Sequence, residues 1–330
     1  MYKKGTYFIT GITGLIGGLL VKSLLASEEY GQGTIKIIGL LRDEDKLEKT
    51  LRDAQGANFT WMAADCRSRC RIERMLRAEG LDYIIHCAAP TVSSYMVSNP
   101  AETADSVVSG TRSMLELARR FSVKSMVYLS SMEVYGKVSD IGRPRREDEL
   151  GDIPLDSVRS CYPMGKRMAE HYCYIYSQEY GVPVKTARLA QVFGKGVRSG
   201  DNRVYMQFAR AAAGGQDIIL RTQGLSMGNY CASEDAVNAV FTILEKGRDG
   251  ETYNVVNEAN TMRICQMAEL VSAKVAKGST KVKIEPEDAK KTGYAPDTEL
   301  RLSGEKLRQL GWKPTKGLVE MYEDVINEIR

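Results

Sequence analysis

The sequence predicts an α/β fold, a doubly wound parallel sheet with a smaller α/β lobe, and two observations carry that expectation. Short apolar runs rich in β-branched residues alternate with amphipathic helical patterns throughout the first half of the chain. That alternation is the signature of strands laid side by side in parallel, with helices covering both faces. The second observation is a glycine-spaced turn directly after the first run, where such a sheet places its ligand site. No internal repeat or low-complexity tract interrupts the pattern.

Each element follows from its residues. Thr6 to Thr10, Ile35 to Leu41, Tyr83 to Cys87 and Ser125 to Ser130 read as strands. Between the last two, Glu102 to Phe121 carries Val107, Val108, Met114, Leu115 and Leu117 at helical spacing and closes on Arg119-Arg120, cations that complement the C-terminal helix dipole. Glu44 to Asp53 reads as a further helix. Another is expected to open at Tyr162, with Pro163 suited to the first helical turn because its missing N–H has no helical partner there.

Composition narrows the function classes. The chain has 330 residues, 43% hydrophobic, enough for one large domain or two fused ones. With 46 basic and 42 acidic residues it lacks the basic excess of a nucleic-acid binder, so a small-molecule ligand is expected. Seven scattered cysteines without paired metal spacing, and an N-terminus that runs straight into a strand, point to a reducing cytoplasm. No apolar stretch is long enough to span a membrane, and with His86 and His171 as the two histidines a histidine-rich metal site is not expected.

Thr10-Gly11-Ile12-Thr13-Gly14-Leu15-Ile16-Gly17-Gly18 lies between the first strand and a helix. In such a loop one glycine permits the tight turn, one lets backbone amides approach a pyrophosphate, and one lets helix and strand pack closely. The loop predicts a dinucleotide cofactor and makes the sheet Rossmann-type. The second strand ends Leu41-Arg42-Asp43, a mixed signal: an acidic residue there binds a ribose 2′-hydroxyl and favours NAD, whereas arginine pairs a 2′-phosphate and favours NADP. A solvated turn is the competing reading for both. Asp65, before Cys66, is a candidate acceptor for the adenine amino group, with a simple N-cap as its rival.

Tyr162-Pro163-Met164-Gly165-Lys166 places a phenol and an ammonium four residues apart, on one helical face. A phenol with a pKa of about 10 is a poor base at neutral pH, and a fixed cation favours its phenolate. Tyr162 and Lys166 are therefore a candidate acid/base device.

Together these residues resemble the extended short-chain dehydrogenase/reductases, in particular the NAD-dependent epimerase/dehydratase group that acts on nucleotide sugars. The resemblance covers nearly the whole chain. It rests on Gly11, Gly14 and Gly17, on Asp65, on His86-Cys87-Ala88-Ala89, on Leu129-Ser130-Ser131-Met132-Glu133-Val134-Tyr135-Gly136, and on Tyr162 with Lys166. Arg188 to Gly194, Ser233-Glu234-Asp235-Ala236, Tyr253-Asn254-Val255 and Leu310 to Pro314 fit as well.

The resemblance implies that Tyr162 is the catalytic acid/base, that Lys166 tunes it and holds the nicotinamide ribose, and that Ser131, in preference to Ser130, bonds the sugar hydroxyl. Glu133 stands where dehydratases and UDP-glucuronate decarboxylases carry a glutamate, and is the candidate second acid/base. The implied cofactor contacts are Gly11, Thr13, Gly14, Leu15, Ile16, Gly17, Arg42, Asp65, Cys66, Ala88, Ala89, Tyr162, Lys166, Leu189 and Val192. Thr91, Ser131, Gln191, Asn202 and Arg203 are the implied substrate contacts. Residues 1–188 with 229–257 would form the NAD(P)-binding domain, and 189–228 with 258–330 the substrate lobe.

Pro90, Tyr95, Asn99-Pro100, Arg159-Ser160-Cys161 and Asp201 to Val204 lean the resemblance toward UDP-xylose synthases. One departure leans away. Gly228 stands where these enzymes place an arginine on the substrate diphosphate, leaving Arg203, Arg221 or Arg301 to supply that charge. Arg143 to Glu149 reads as a solvated loop, His86 as strand-end packing, and Tyr172, Tyr174, Ile175 and Tyr176 as core or interface. The resemblance implies a homodimer through a four-helix bundle. Two rivals remain: an NADP-dependent carbonyl or alcohol reductase, favoured by Arg42, and a non-catalytic binding scaffold.

Overall fold

A computed structural model of the chain describes residues 2–138, 142–198, 200–287 and 298–329. Its strands in chain order are β1 Gly5–Thr10, β2 Ile35–Leu41, β3 Phe59–Ala63, β4 Tyr83–His86, β5 Ser125–Ser131 and β6 Val184–Leu189, then β7 Gln191–Phe193, β8 Ile218–Leu220, β9 Met227–Ala232, β10 Thr252–Val255, β11 Asn257–Arg263 and β12 Val282–Ile284. Among the described residues the main sheet has seven strands in the order β10-β6-β5-β4-β1-β2-β3. Every pairing within it is parallel. The order reverses between β1 and β4, and such a switch point opens a crevice at the carboxyl ends of the strands.

Burial explains why these runs are strands. Tyr7 and Ile9 of β1 enter one core, shared with Leu20, Val21 and Leu24 of the helix Leu15–Leu25 and with Val240 and Ile243 of the helix Ser233–Lys246. Phe8 points the other way, into a core with Met114 and Leu115 of Pro100–Arg120 and Ala169 and Cys173 of Cys161–Tyr180. A strand buried on both faces reads as continuous apolar sequence, which is what β1 and β2 show.

The smaller lobe has its own core, built on Phe193, Tyr205, Tyr230 and Tyr322. Phe193 stacks on Tyr205 at 4.3 Å and meets Tyr230 and Tyr322 edge-on. Here β9 pairs parallel with β7 and antiparallel with β11, and β12 pairs with β8. The three expected domain cuts fall before the last residue of β6, inside β9 and after the first residue of β11.

Two expected elements differ. Glu44 to Asp53 is a turn of 3₁₀ helix at Glu44–Lys46 and a separate short helix at Lys49–Asp53. Leu47 divides them, because burying its side chain holds its backbone extended at φ −71°, ψ 129°. The second concerns Pro163. The helix Cys161–Tyr180 begins one residue before Tyr162, so the proline is its third residue; that amide is still among the first-turn groups without a helical acceptor.

Candidate active site

The turn after β1 is built by contact. Gly11 has φ +72°, and a Cβ there would lie 3.0 Å from the Ala88 backbone; one at Gly17 would lie 2.3 Å from the Gly11 carbonyl oxygen. Helix, turn and the segment after β4 are thus pressed together, and side chains at these positions would force them apart. Gly14 caps Leu15–Leu25 with extended backbone and no side-chain cap, leaving the first-turn amides of Leu15 and Ile16 for an anion. A dinucleotide pyrophosphate fits this cradle. Thr10 ties it to β4: its hydroxyl accepts the Cys87 and Ala88 amides at 3.1 Å each, so its own proton goes to His86 Nδ1 at 2.8 Å. His86 is accordingly neutral, its pKa pushed down to about 3 by burial and then by Lys166.

Sequence reading did not find Arg198, which follows β7. Its Nη2 donates to the Thr13 carbonyl at 2.6 Å and the Lys46 carbonyl at 3.0 Å, strapping the glycine turn to the turn after β2. A lone arginine in a loop carries no periodic or spacing signal.

At the adenosine end the two acidic candidates are engaged in turns. Asp43 accepts the Asp45 amide at 3.0 Å and pairs with Lys46 at 3.1 Å. Asp65 accepts the Arg67 amide at 2.8 Å and pairs with its guanidinium at 2.9 Å, which holds the carboxyl below its usual range. Arg67 also binds Glu102 and Asp105. Cys66 is buried, and a Cβ on Gly110 would lie 2.6 Å from its sulfur. Arg42 is exposed and makes no hydrogen bond or ion pair among the described residues.

Beside the crevice, the helix Cys161–Tyr180 turns Tyr162, Gly165, Lys166, Ala169 and Cys173 inward. Gly165 packs toward Pro100–Arg120, where a Cβ would sit 3.5 Å from Val107, and this close approach buries the Tyr162 and Lys166 side chains. Ser131, at the end of β5, hydrogen-bonds the Tyr162 phenol and also accepts the Glu133 amide at 3.2 Å. Register places Ser131 opposite Leu189 of β6. Ser130 is buried, and its hydroxyl has no hydrogen-bond partner among the described residues.

Lys166 donates to the Leu129 carbonyl at 2.6 Å, and its Nζ lies 5.7 Å from the Tyr162 ring centre. Burial lowers its pKa to about 8. Burial, and then the Glu133 charge, raise the Tyr162 phenol well above its ordinary value; the Ser131 hydrogen bond and Arg159 act against them.

Sequence places Arg159 in a motif and assigns it no role; the structure gives it one. Its Nη2 contacts both Glu133 oxygens, at 2.9 and 2.8 Å, and its Nε reaches Ser93 at 3.3 Å. Its Nη1 is buried and has no hydrogen-bond partner among the described residues.

The structure separates some substrate candidates from this centre's charge. Arg203 is paired through its Nε and Nη2 edge with Asp201, at 2.6 to 3.1 Å, and stacks over Tyr205. Arg221 pairs with Glu285 and Glu287. Thr91 and Asn202 are exposed, while Gln191 begins β7 and Val192 beside it is buried. At Gly228 a Cβ would lie 2.2 Å from the Tyr230 hydroxyl, so the ring of Tyr230 occupies the space a side chain at 228 would need. Arg301 lies on a segment joined to β9 through Leu300 and Leu302, both bonded to Asn229, and its guanidinium makes no hydrogen bond or ion pair among the described residues.

The loop at Arg143 to Glu149 corrects the solvated reading. Arg143 and Arg146 do pair with Glu149 at the surface. Arg145, however, is buried and bridges to the segment at Leu302, and Glu147 accepts the Asn254 amide at 2.9 Å.

The NAD dependent epimerase/dehydratase family model matches residues 7–257, taking in the glycine turn, Ser131, Tyr162 and Lys166. The chain belongs to this family. Membership makes it an NAD-dependent enzyme of the epimerase/dehydratase class. Among curated proteins it is similar to UDP-glucuronic acid decarboxylase 6 of Arabidopsis thaliana, 27% identical over 96% of this chain and 87% of that one. Among solved structures it is similar to UDP-glucose 4-epimerase of Thermotoga maritima, with TM-score 0.81, 21% identity and 98% of each chain covered. The dTDP-glucose 4,6-dehydratase of Bacillus anthracis, solved with NAD, gives TM-score 0.77 and 20% identity over 98% of this chain and 95% of that one. At these identities the two structures share the fold of this family member.

Among the described residues no helix is long and apolar enough to cross a membrane, and no group of three or more His, Cys, Asp or Glu is placed to hold a metal.

Proposed function

We propose that this enzyme oxidises a nucleotide sugar at C4 and, with a hexuronate as the sugar, decarboxylates it before the ketone is reduced again. Bound NAD supplies the hydride acceptor and, at the end, the hydride donor. Tyr162 takes the proton from the C4 hydroxyl while Ser131 orients that hydroxyl, and Lys166 contributes positive charge beneath the phenol. A C4 ketone is β to the C6 carboxylate, so breaking the C5–C6 bond releases CO2 and leaves its electron pair as an enolate on the C4 oxygen, beside Tyr162 and Ser131; uptake of a proton from water at C5 restores the ketone for reduction.

One observation carries the uronate reading: Arg159, next to Tyr162, has a buried guanidinium nitrogen without a partner, a ready donor to a substrate carboxylate. The decarboxylase relatives support it. Arg301 would meet the diphosphate in place of a side chain at Gly228. Residues 1–188 with 229–257 would hold the cofactor, and 189–228 with 258–330 would close over the nucleotide. The exposed Met168, Tyr174 and Tyr180 on Cys161–Tyr180 support a homodimer across that helix and Pro100–Arg120.

The test is incubation with UDP-glucuronate, UDP-glucose and dTDP-glucose, with products identified by mass. Loss of one CO2 from UDP-glucuronate, without accumulation of NADH, is expected. A second reading, an NADP-dependent reductase, is favoured by the unpaired Arg42. Net consumption of NADPH with a ketone substrate would select it.

A further inference from the structure

Arg159 sits in the turn Val158–Ser160, three residues before Tyr162, and its Cζ lies 5.7 Å from the Tyr162 ring centre. Lys166 Nζ lies at the same 5.7 Å. The two cations are engaged differently. Lys166 is turned to the Leu129 carbonyl, whereas Arg159 pairs with the Glu133 carboxylate, whose amide is in turn bonded to Ser131.

We propose that Arg159 and Glu133 are positioning residues that set the proton affinity of Tyr162 with opposite signs, the guanidinium favouring the phenolate and the carboxylate favouring the phenol. The inference rests on the reading of Tyr162 as acid/base and deepens it. One ion pair lets each partner be removed separately, and the sign of each removal follows from its charge.

The other groups facing Tyr162 do not blur that sign. From β5 come the Ser131 hydroxyl, which hydrogen-bonds the phenol, and Tyr128, whose own phenol burial holds neutral. On the helix itself Lys166 is followed by Glu170, paired with Arg188, and by the buried thiol of Cys173. At the end of β4 His86 is neutral, and the Cys87 thiol is pushed up to about 12 by burial. The buried face of Pro100–Arg120 carries Thr103, Ser106 and Thr111 and no charge.

The experiment places 3-fluorotyrosine at position 162 of the full-length, NAD-saturated protein and follows its fluorine resonance against pH with no sugar present. Arg159→Gln should raise the ionisation midpoint by about one unit and Glu133→Gln lower it by about one unit. Arg159→Lys should stay close to the parent, and the double variant should return toward it. Both single variants moving the midpoint in one direction, neither moving it, or a phenol that fails to ionise before unfolding in every variant would overturn the proposal. A Tyr162→Phe enzyme with full turnover would remove the acid/base reading instead, and would leave the measured midpoints as they stand.

Discussion

Two polar clusters flank the helix Cys161–Tyr180, one meeting it at Glu170 and the other at Tyr162 and Lys166, and they are satisfied to different degrees. At the rear, Arg188 uses its Nε and Nη2 on Glu170 and its Nη1 on the Tyr135 hydroxyl and the Glu147 carbonyl. Tyr135 donates to Asn254 Oδ1 at 2.9 Å, and the Asn254 amide reaches the Arg145 and Ser303 carbonyls. At the front, Ser130 Oγ, His86 Nε2 and Arg159 Nη1 are buried and have no hydrogen-bond partner among the described residues. A closed network ties β6, the helix Cys161–Tyr180, the Arg143 to Glu149 loop and β10 to one another; an open one keeps donors and acceptors for something that binds. Stability and chemistry are thereby assigned to neighbouring turns of one helix.

The sharpest way to break the comparison is at the rear. Arg188→Met leaves Glu170 buried without its cation and should cost about 3–5 kcal/mol, read from urea unfolding. A cost below about 1 kcal/mol would mean that the rear network does not stabilise the fold. At the front the same depth of burial should behave differently. Tyr162→Phe should lower turnover by about 10²–10⁴-fold while moving the urea midpoint little.

A third substitution tests the filled space in β9. Gly228→Ala drives a methyl against the Tyr230 ring inside the small-lobe core and should destabilise by about 1–3 kcal/mol, by overpacking and not by any loss of charge. The smallest effect is expected at Lys166. Its pKa falls from 10.5 in the unfolded chain to about 8 in the fold, so the unfolded state holds more protons between those pH values. Its contribution is least favourable below about pH 8 and improves as pH rises toward 10.5. Lys166→Met should therefore change stability at pH 7 by less than about 1 kcal/mol, relief of the buried charge offsetting the lost bond to Leu129, and should abolish that rise. Unfolding of both proteins across this pH range reads the sign; a parent that loses stability over it would contradict the assignment.

The two clusters were not equally legible. The sheet could be read because burial on both faces writes itself as apolar runs, and the glycine turn because Gly11, Gly14 and Gly17 are neighbours in sequence. Tyr162 and Lys166 share a face by helical spacing alone. Arg159 meets Glu133 across 26 residues of chain, and Arg188 meets Glu147 across 41, pairings that no local period encodes. Leu47 broke an expected helix because a tertiary pocket outweighed local propensity. Gly228 shows the same limit from the other side: a missing arginine is visible in sequence, but the Tyr230 ring that fills its place is visible only in space.

The measurement that bears most directly on the site is product mass from UDP-glucuronate with the NAD-saturated protein, wild type beside Tyr162→Phe. The front cluster predicts that the wild type releases a nucleotide sugar lighter by one CO2, with no net NADH, and that the variant does so at no more than about one hundredth of the rate. Full turnover by Tyr162→Phe would contradict it.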